Sequence, residues 1–69
     1  MHLKPGERLI LLSLRIQPKQ TRAGLAESTG IRHPHRLVEA IRLLIIAGLV
    51  LDDASVTPTT YRLAEASRG

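Results

Sequence analysis

The sequence has no cysteine, no phenylalanine and no tryptophan, and its only aromatic residue is Tyr61. Without cysteine there are no disulfide staples, no thiolate zinc sites and no cysteine nucleophile. Nothing marks a secreted disulfide scaffold, so a reducing cytoplasm is the expected setting. The scarcity of aromatics argues against a binder of single strands or RNA loops, because such proteins stack bases on Phe, Tyr or Trp. Long apolar runs are missing too. The longest apolar-rich stretch, Leu43 to Leu51, falls far short of the ~20 residues a membrane helix needs. The opening residues reach Pro5-Gly6 before any apolar stretch and do not read as a signal peptide. There is no glycine-rich phosphate loop. Ser13, Ser28 and Ser55 lack a base-and-orienter set, and the carboxylates are scattered, so no enzymatic activity and no cofactor are expected.

What is present is a short, basic chain. Its 69 residues suit one domain spanning 1–69, with a thin core, since domains this small bury only ~60% of the surface their unfolded chains expose. Ten Lys and Arg against six Asp and Glu leave a formal charge of +4. The excess is uneven: residues 1–50 hold eight basic and three acidic side chains, residues 51–69 two and three. Such a balance favours a polyanionic partner. Duplex DNA fits the composition, because it asks only for phosphate contacts and base-edge hydrogen bonds, which Arg, His, Thr and Glu can supply.

The pattern predicts a helix from Pro5 to Ile16, with Pro5 at a first helical position, Glu7 near the positive helix end and Pro18 as the stop. Leu9, Leu12, Ser13 and Ile16 share one face at helical spacing. Ile10, Leu11 and Leu14 lie off it, so this helix is apolar around most of its girth and is expected to be buried on more than one side. A short second helix is predicted over Thr21–Thr29, with Thr21 as N-cap, Leu25 and Ala26 inward and Gly30 as a left-handed end. A basic turn follows, Arg32-His33-Pro34-His35. Pro34 opens a third helix to Ala47, capped by Gly48, with Leu37, Ala40, Ile41, Leu44 and Ile45 inward. His35, Arg36, Glu39, Arg42, Leu43 and Ile46 read as its outer face. Leu49–Leu51 and Thr59–Leu63 then form a hairpin around an Asp52–Ser55 turn. The tail from Ala64 to Gly69 is expected to be frayed or briefly helical.

Helix, short helix, turn, longer helix and hairpin follow the order of a winged helix-turn-helix domain, an α+β class that is mainly α with a small β-hairpin. The residues carry the resemblance further. Thr21-Arg-Ala-Gly-Leu-Ala-Glu-Ser-Thr-Gly-Ile31 resembles the second helix and turn of bacterial and archaeal winged-helix repressors. Leu44-Ile-Ile-Ala-Gly-Leu-Val50 resembles the end of their recognition helix, and Tyr61-Arg62-Leu63 the strand returning from their wing. The resemblance covers about residues 6–63 and departs in two places. Gly30 to Gly48 is about one residue longer than the commonest spacing, and the wing tip carries Asp52 and Asp53 in place of cations.

The resemblance implies a sequence-specific, double-stranded DNA-binding regulator, a repressor, of the small kind found in bacteria, archaea, phages and plasmids. A major groove about 12 Å wide admits one helix, and base contacts then fall to His35, Arg36, Glu39 and Arg42. Lys19, Thr21, Arg22, Arg32 and His33 flank the groove as phosphate contacts, which position without reading sequence, and the second helix offers N–H groups to a phosphate. Each cation also has a plainer reading as solvated surface, and Glu39 one as a helix-surface partner of Arg36 or Arg42. His33 and His35 are too close on a helix to converge on a metal, and no cysteine or nearby carboxylate completes a set. As phosphate donors they would tighten binding in mild acid. The surplus apolar residues Ile10, Leu11, Leu14, Leu43 and Ile46 are expected to form a homodimer interface. The alternative function is a protein-interaction winged helix, an adaptor or inhibitor of a host protein, which the acidic wing and greasy outer face favour.

Overall fold

The computed structural model describes residues 3–64. Its elements run α1 (Pro5–Ile16), β1 (Gln20–Thr21), α2 (Arg22–Thr29), α3 (Pro34–Ile46), β2 (Val50–Asp53) and β3 (Thr60–Leu63). The chain is therefore mainly helical with a small antiparallel sheet. Residues 65–69, the greater part of the tail expected to fray or coil, lie outside the described residues.

Local chemistry accounts for the helix ends. Pro5 presets the first helical φ, and Glu7 reaches back so that its Oε1 accepts the Lys4 N–H at 2.9 Å, half of the reciprocal capping box. At the other end Gln17 is extended (φ −130°, ψ 99°), as a residue before proline must be. Thr21 caps α2: its Oγ1 accepts the Gly24 N–H at 3.1 Å. Gly30 ends α2 at φ 77°, and its N–H donates to the Ala26 carbonyl at 3.0 Å. For α3 the closing hydrogen bonds are Gly48 N–H to the Ile45 carbonyl and Leu49 N–H to the Leu44 carbonyl, each 2.9 Å. With Gly48 at φ 79° this is a complete Schellman motif, and Leu49 joins Leu44 at the core as the motif's apolar contact.

The core is built from Ile10, Leu14, Leu25, Leu37, Ile41, Leu44 and Val50, each fully buried aliphatic side chain contributing roughly 1.5–3 kcal/mol. Two expectations for α1 are overturned here: that it is buried on more than one side, and that Ile10, Leu11 and Leu14 form a dimer face. Ile10 and Leu14 are 0% exposed and belong to the protein's own core, and Leu11 is half-buried against it, so these three do not form a free dimer face. The solvent-facing residues are instead Leu9, Leu12 and Ile16, the last 84% exposed. Both faces of α1 are apolar at helical spacing, so hydrophobic periodicity could not rank them. Polar residues break the tie. Turning Ile10 and Leu14 inward also turns in Ser13, which meets the buried side chain of Gln20, while Glu7, on the same face, closes onto Lys4.

The sheet has three strands in the order β1-β3-β2, all antiparallel, where a two-stranded hairpin was expected. The β2–β3 register pairs Val50 with Leu63, Leu51 with Arg62, Asp52 with Tyr61 and Asp53 with Thr60. β1 adds Gln20 opposite Tyr61 and Thr21 opposite Thr60. Two residues are too few to show a period, and a buried glutamine is no strand signal. The ladder continues past β3, where the Ala64 N–H donates to the Leu49 carbonyl at 2.9 Å.

Gln20 joins the parts. Its Nε2 donates to the Ser13 carbonyl at 2.9 Å, the Ser13 Oγ at 2.8 Å and the Gln17 carbonyl at 3.0 Å. Its Oε1 accepts from the Ser28 hydroxyl at 3.0 Å. One side chain, only 5% exposed, thus ties α1, α2 and the central strand's neighbour together. Among the described residues no buried side-chain polar atom lacks a partner.

Candidate nucleic-acid interface

Helix α3 separates its residues cleanly. Leu37, Ile41 and Leu44 are buried, whereas His35, Arg36, Glu39 and Arg42 are exposed. At 100° per residue His35, Glu39 and Arg42 centre on the side opposite the core, and Arg36 sits on one flank. Val38, Leu43 and Ile46 are exposed on the same helix, Ile46 at 76%. The polar N-terminal half and the apolar C-terminal half of the outer face both lie in solvent within this chain.

The flanking residues fall into three groups. Arg32 and His33 are exposed in the turn before α3, and with Arg36 and Glu39 they border a groove of about 800 Å³. Thr21 and Arg22, at the start of α2, border a smaller depression with Pro58, Thr59 and Tyr61. Lys19 lies in a third, alongside Gln17, Glu27 and Ser28. His35 and Arg42 line none of these three concavities. Thr21 is half-buried and its oxygen already serves the Gly24 N–H, so what it retains for a phosphate is its hydroxyl proton.

Lys4 joins the cations of the large groove, and nothing in the sequence singled it out. The start of α1 comes up against the turn before α3 closely enough that a Cβ on Gly6 would lie 3.7 Å from Ile31 Cδ1. That approach belongs to tertiary packing, which spacing along the chain does not encode.

The end of β2 is acidic and locally ordered, and Asp52 and Asp53, expected in a turn, belong to the strand. Asp53 Oδ1 accepts the Ser55 N–H at 3.0 Å and the Ser55 hydroxyl, an Asx turn. These bonds, the hydroxyl first and then the amide, hold the Asp53 carboxyl below its ordinary range, with smaller help from Lys19 and Arg62. Asp52 is exposed beside it. A strand end so charged repels phosphates, so any duplex contact in this region falls to the cations around it.

Among the described residues no three His, Asp or Glu side chains gather in a way that could hold a metal ion, and no helix is long and apolar enough to cross a membrane. No protein-family model matches this chain, and no curated protein is significantly similar to it.

Proposed function

We propose that this is a winged helix-turn-helix protein that binds double-stranded DNA sequence-specifically and regulates transcription in the cytoplasm as a repressor. The observation that carries the reading is the sorting of α3. One helix buries Leu37, Ile41 and Leu44 and leaves His35, Arg36, Glu39 and Arg42 exposed together. In this reading Arg36 and Arg42 address guanine O6 and N7, Glu39 accepts from cytosine N4, and His35 donates to either a base edge or the backbone, each good bidentate pair being worth about 1–3 kcal/mol of discrimination. Lys19, Thr21, Arg22, Arg32 and His33 hold the backbone. A second copy of the chain covers the outer apolar residues of α1, and the dimer reads an inverted repeat.

The test is a titration of labelled random-sequence duplex at two salt concentrations. Neutralising four or five phosphates makes affinity fall roughly a hundredfold or more between about 50 and about 200 mM salt. Arg36→Ala should weaken a selected duplex clearly more than Arg68→Ala, a cation distant in sequence from α3; equal losses would remove the assigned reading face. The second reading is a protein-interaction domain, favoured by the exposed Leu51 and Asp52 on the wing and by Ile46. It expects no measurable duplex affinity at either salt.

A further inference from the structure

The groove bordered by Arg32, His33 and Arg36 is larger than a phosphate contact needs. At about 800 Å³ it lies within the roughly 300–1,000 Å³ of small-molecule sites. Its walls come from the start of α1, the turn at 30–33 and the flank of α3. The apolar lining is Leu9, Ile31 and Leu43, with Pro5 and Ala40. Around it stand Lys4, Arg32, His33 and Arg36. The carboxylates present are Glu7, whose Oε1 is engaged by the Lys4 N–H, and Glu39 at the helix flank. No aromatic side chain lines the groove, so it offers no platform for stacking a nucleobase. Aliphatic walls under a cationic rim complement a ligand with a hydrocarbon tail and one anionic head.

We infer that this groove is a site for an aliphatic carboxylate of medium chain length, and that such a ligand and duplex DNA exclude one another. The exclusion rests on the DNA-binding reading above, because Arg32, His33, Arg36 and Glu39 are shared between the groove and the proposed interface. A carboxylate held by Arg32 and Arg36 occupies the donors that would meet phosphate and guanine.

The test uses three probes at equal concentration on the isolated protein, followed by amide NMR shifts: octanoate, acetate and octylammonium. Octanoate is expected to shift the amides of Lys4, Gly6, Arg32 and His33, with an affinity about tenfold above either control, equivalent to about 1.4 kcal/mol. Lys4→Gln, at an exposed position on the groove, should weaken octanoate by roughly threefold or more, in keeping with loss of one charge-assisted contact; an unchanged octanoate affinity would overturn the site. Octanoate at saturation should raise the apparent Kd for duplex about fivefold or more. Equal responses to octanoate and octylammonium, or shifts confined to Leu12 and Ile16, overturn the site. Octanoate binding in the groove with no effect on a salt-sensitive duplex complex overturns the exclusion. A protein that binds octanoate as described and no duplex at any salt retains the site and loses the DNA reading.

Discussion

At the scale of single residues, Gln20 does more than its polarity suggests. A glutamine is rarely buried, yet here the amide bonds two carbonyls and two hydroxyls, those of Ser13 at buried contacts and those of Gln17 and Ser28 at part-buried ones. Gln20→Leu removes all of those partners at once. A buried polar group that loses its partner costs about 1–3 kcal/mol, so the variant is expected to lose about that much stability in urea unfolding; an unchanged midpoint would show the network to be dispensable. Asp53 makes a different prediction. Its carboxyl is held below the ordinary value of 3.8 by the Ser55 hydroxyl and amide. A depressed folded value means the turn's contribution is complete above the ordinary carboxylate range and is lost as pH falls through the lower value. The Ser55 amide resonance should therefore titrate with a midpoint below 3.8, and Asp53→Ala should abolish that titration. A midpoint at 3.8 would contradict the hydrogen-bonded turn.

At the scale of elements, the ends are set locally and the faces are not. Gly48 adopts φ 79° and Gly30 φ 77°, a region that costs other L-residues roughly 1–2 kcal/mol. Gly48→Ala should destabilise by about that amount although nothing lies within 4 Å of the added methyl. Gly24 is the contrasting case. It sits inside α2 with no such dihedral, and a Cβ there would rest at 3.5 Å from Thr21 Oγ1, an ordinary contact. Gly24→Ala should stabilise by about 0.4–1 kcal/mol, and thermal melts of the two variants should move in opposite directions. The same contrast explains what could be read in advance. Pro5, Thr21, Gly30, Pro34 and Gly48 act within a turn of themselves, so the bounds of α1, α2 and α3 were legible to within a residue. The inward side of α1 was not, because Leu9-Leu12-Ile16 and Ile10-Leu14 are equally good apolar stripes. β1 was invisible because it exists only through its pairing with β3. The exposed set on α3 was legible because Leu37, Ile41 and Leu44 leave no second choice of core face. The groove that gathers Lys4 with Arg32 and Arg36 depends on how α1 meets the turn, and no run of residues records it.

At the scale of the whole molecule, α1 carries apolar side chains on its exposed side as well as in the core. Seven core side chains are buried, while Leu12 and Ile16 stand 52% and 84% exposed on one side of the same helix. Those two lie four residues apart, one turn or about 6 Å along the axis, and present one continuous patch. Their neighbour Leu9 borders both this patch and the groove. Under the DNA-binding reading this patch has a use, since a two-fold partner is what sets the distance between half-sites, and a two-fold interface must be complementary to itself. An aliphatic stripe meets that condition without needing opposite charges. Ile16→Glu places two carboxylates against each other at such an interface and none in the core. The unfolding free energy of the separated monomer should change by no more than about 0.5 kcal/mol, as for most surface substitutions, while sedimentation at tens of micromolar, on the order of the concentrations at which weak dimers persist, should move from dimer to monomer. Affinity for a palindromic duplex should fall with it, and affinity for a single half-site should stay. If the unsubstituted protein already sediments as a monomer under those conditions, the stripe on α1 is not a homodimer interface.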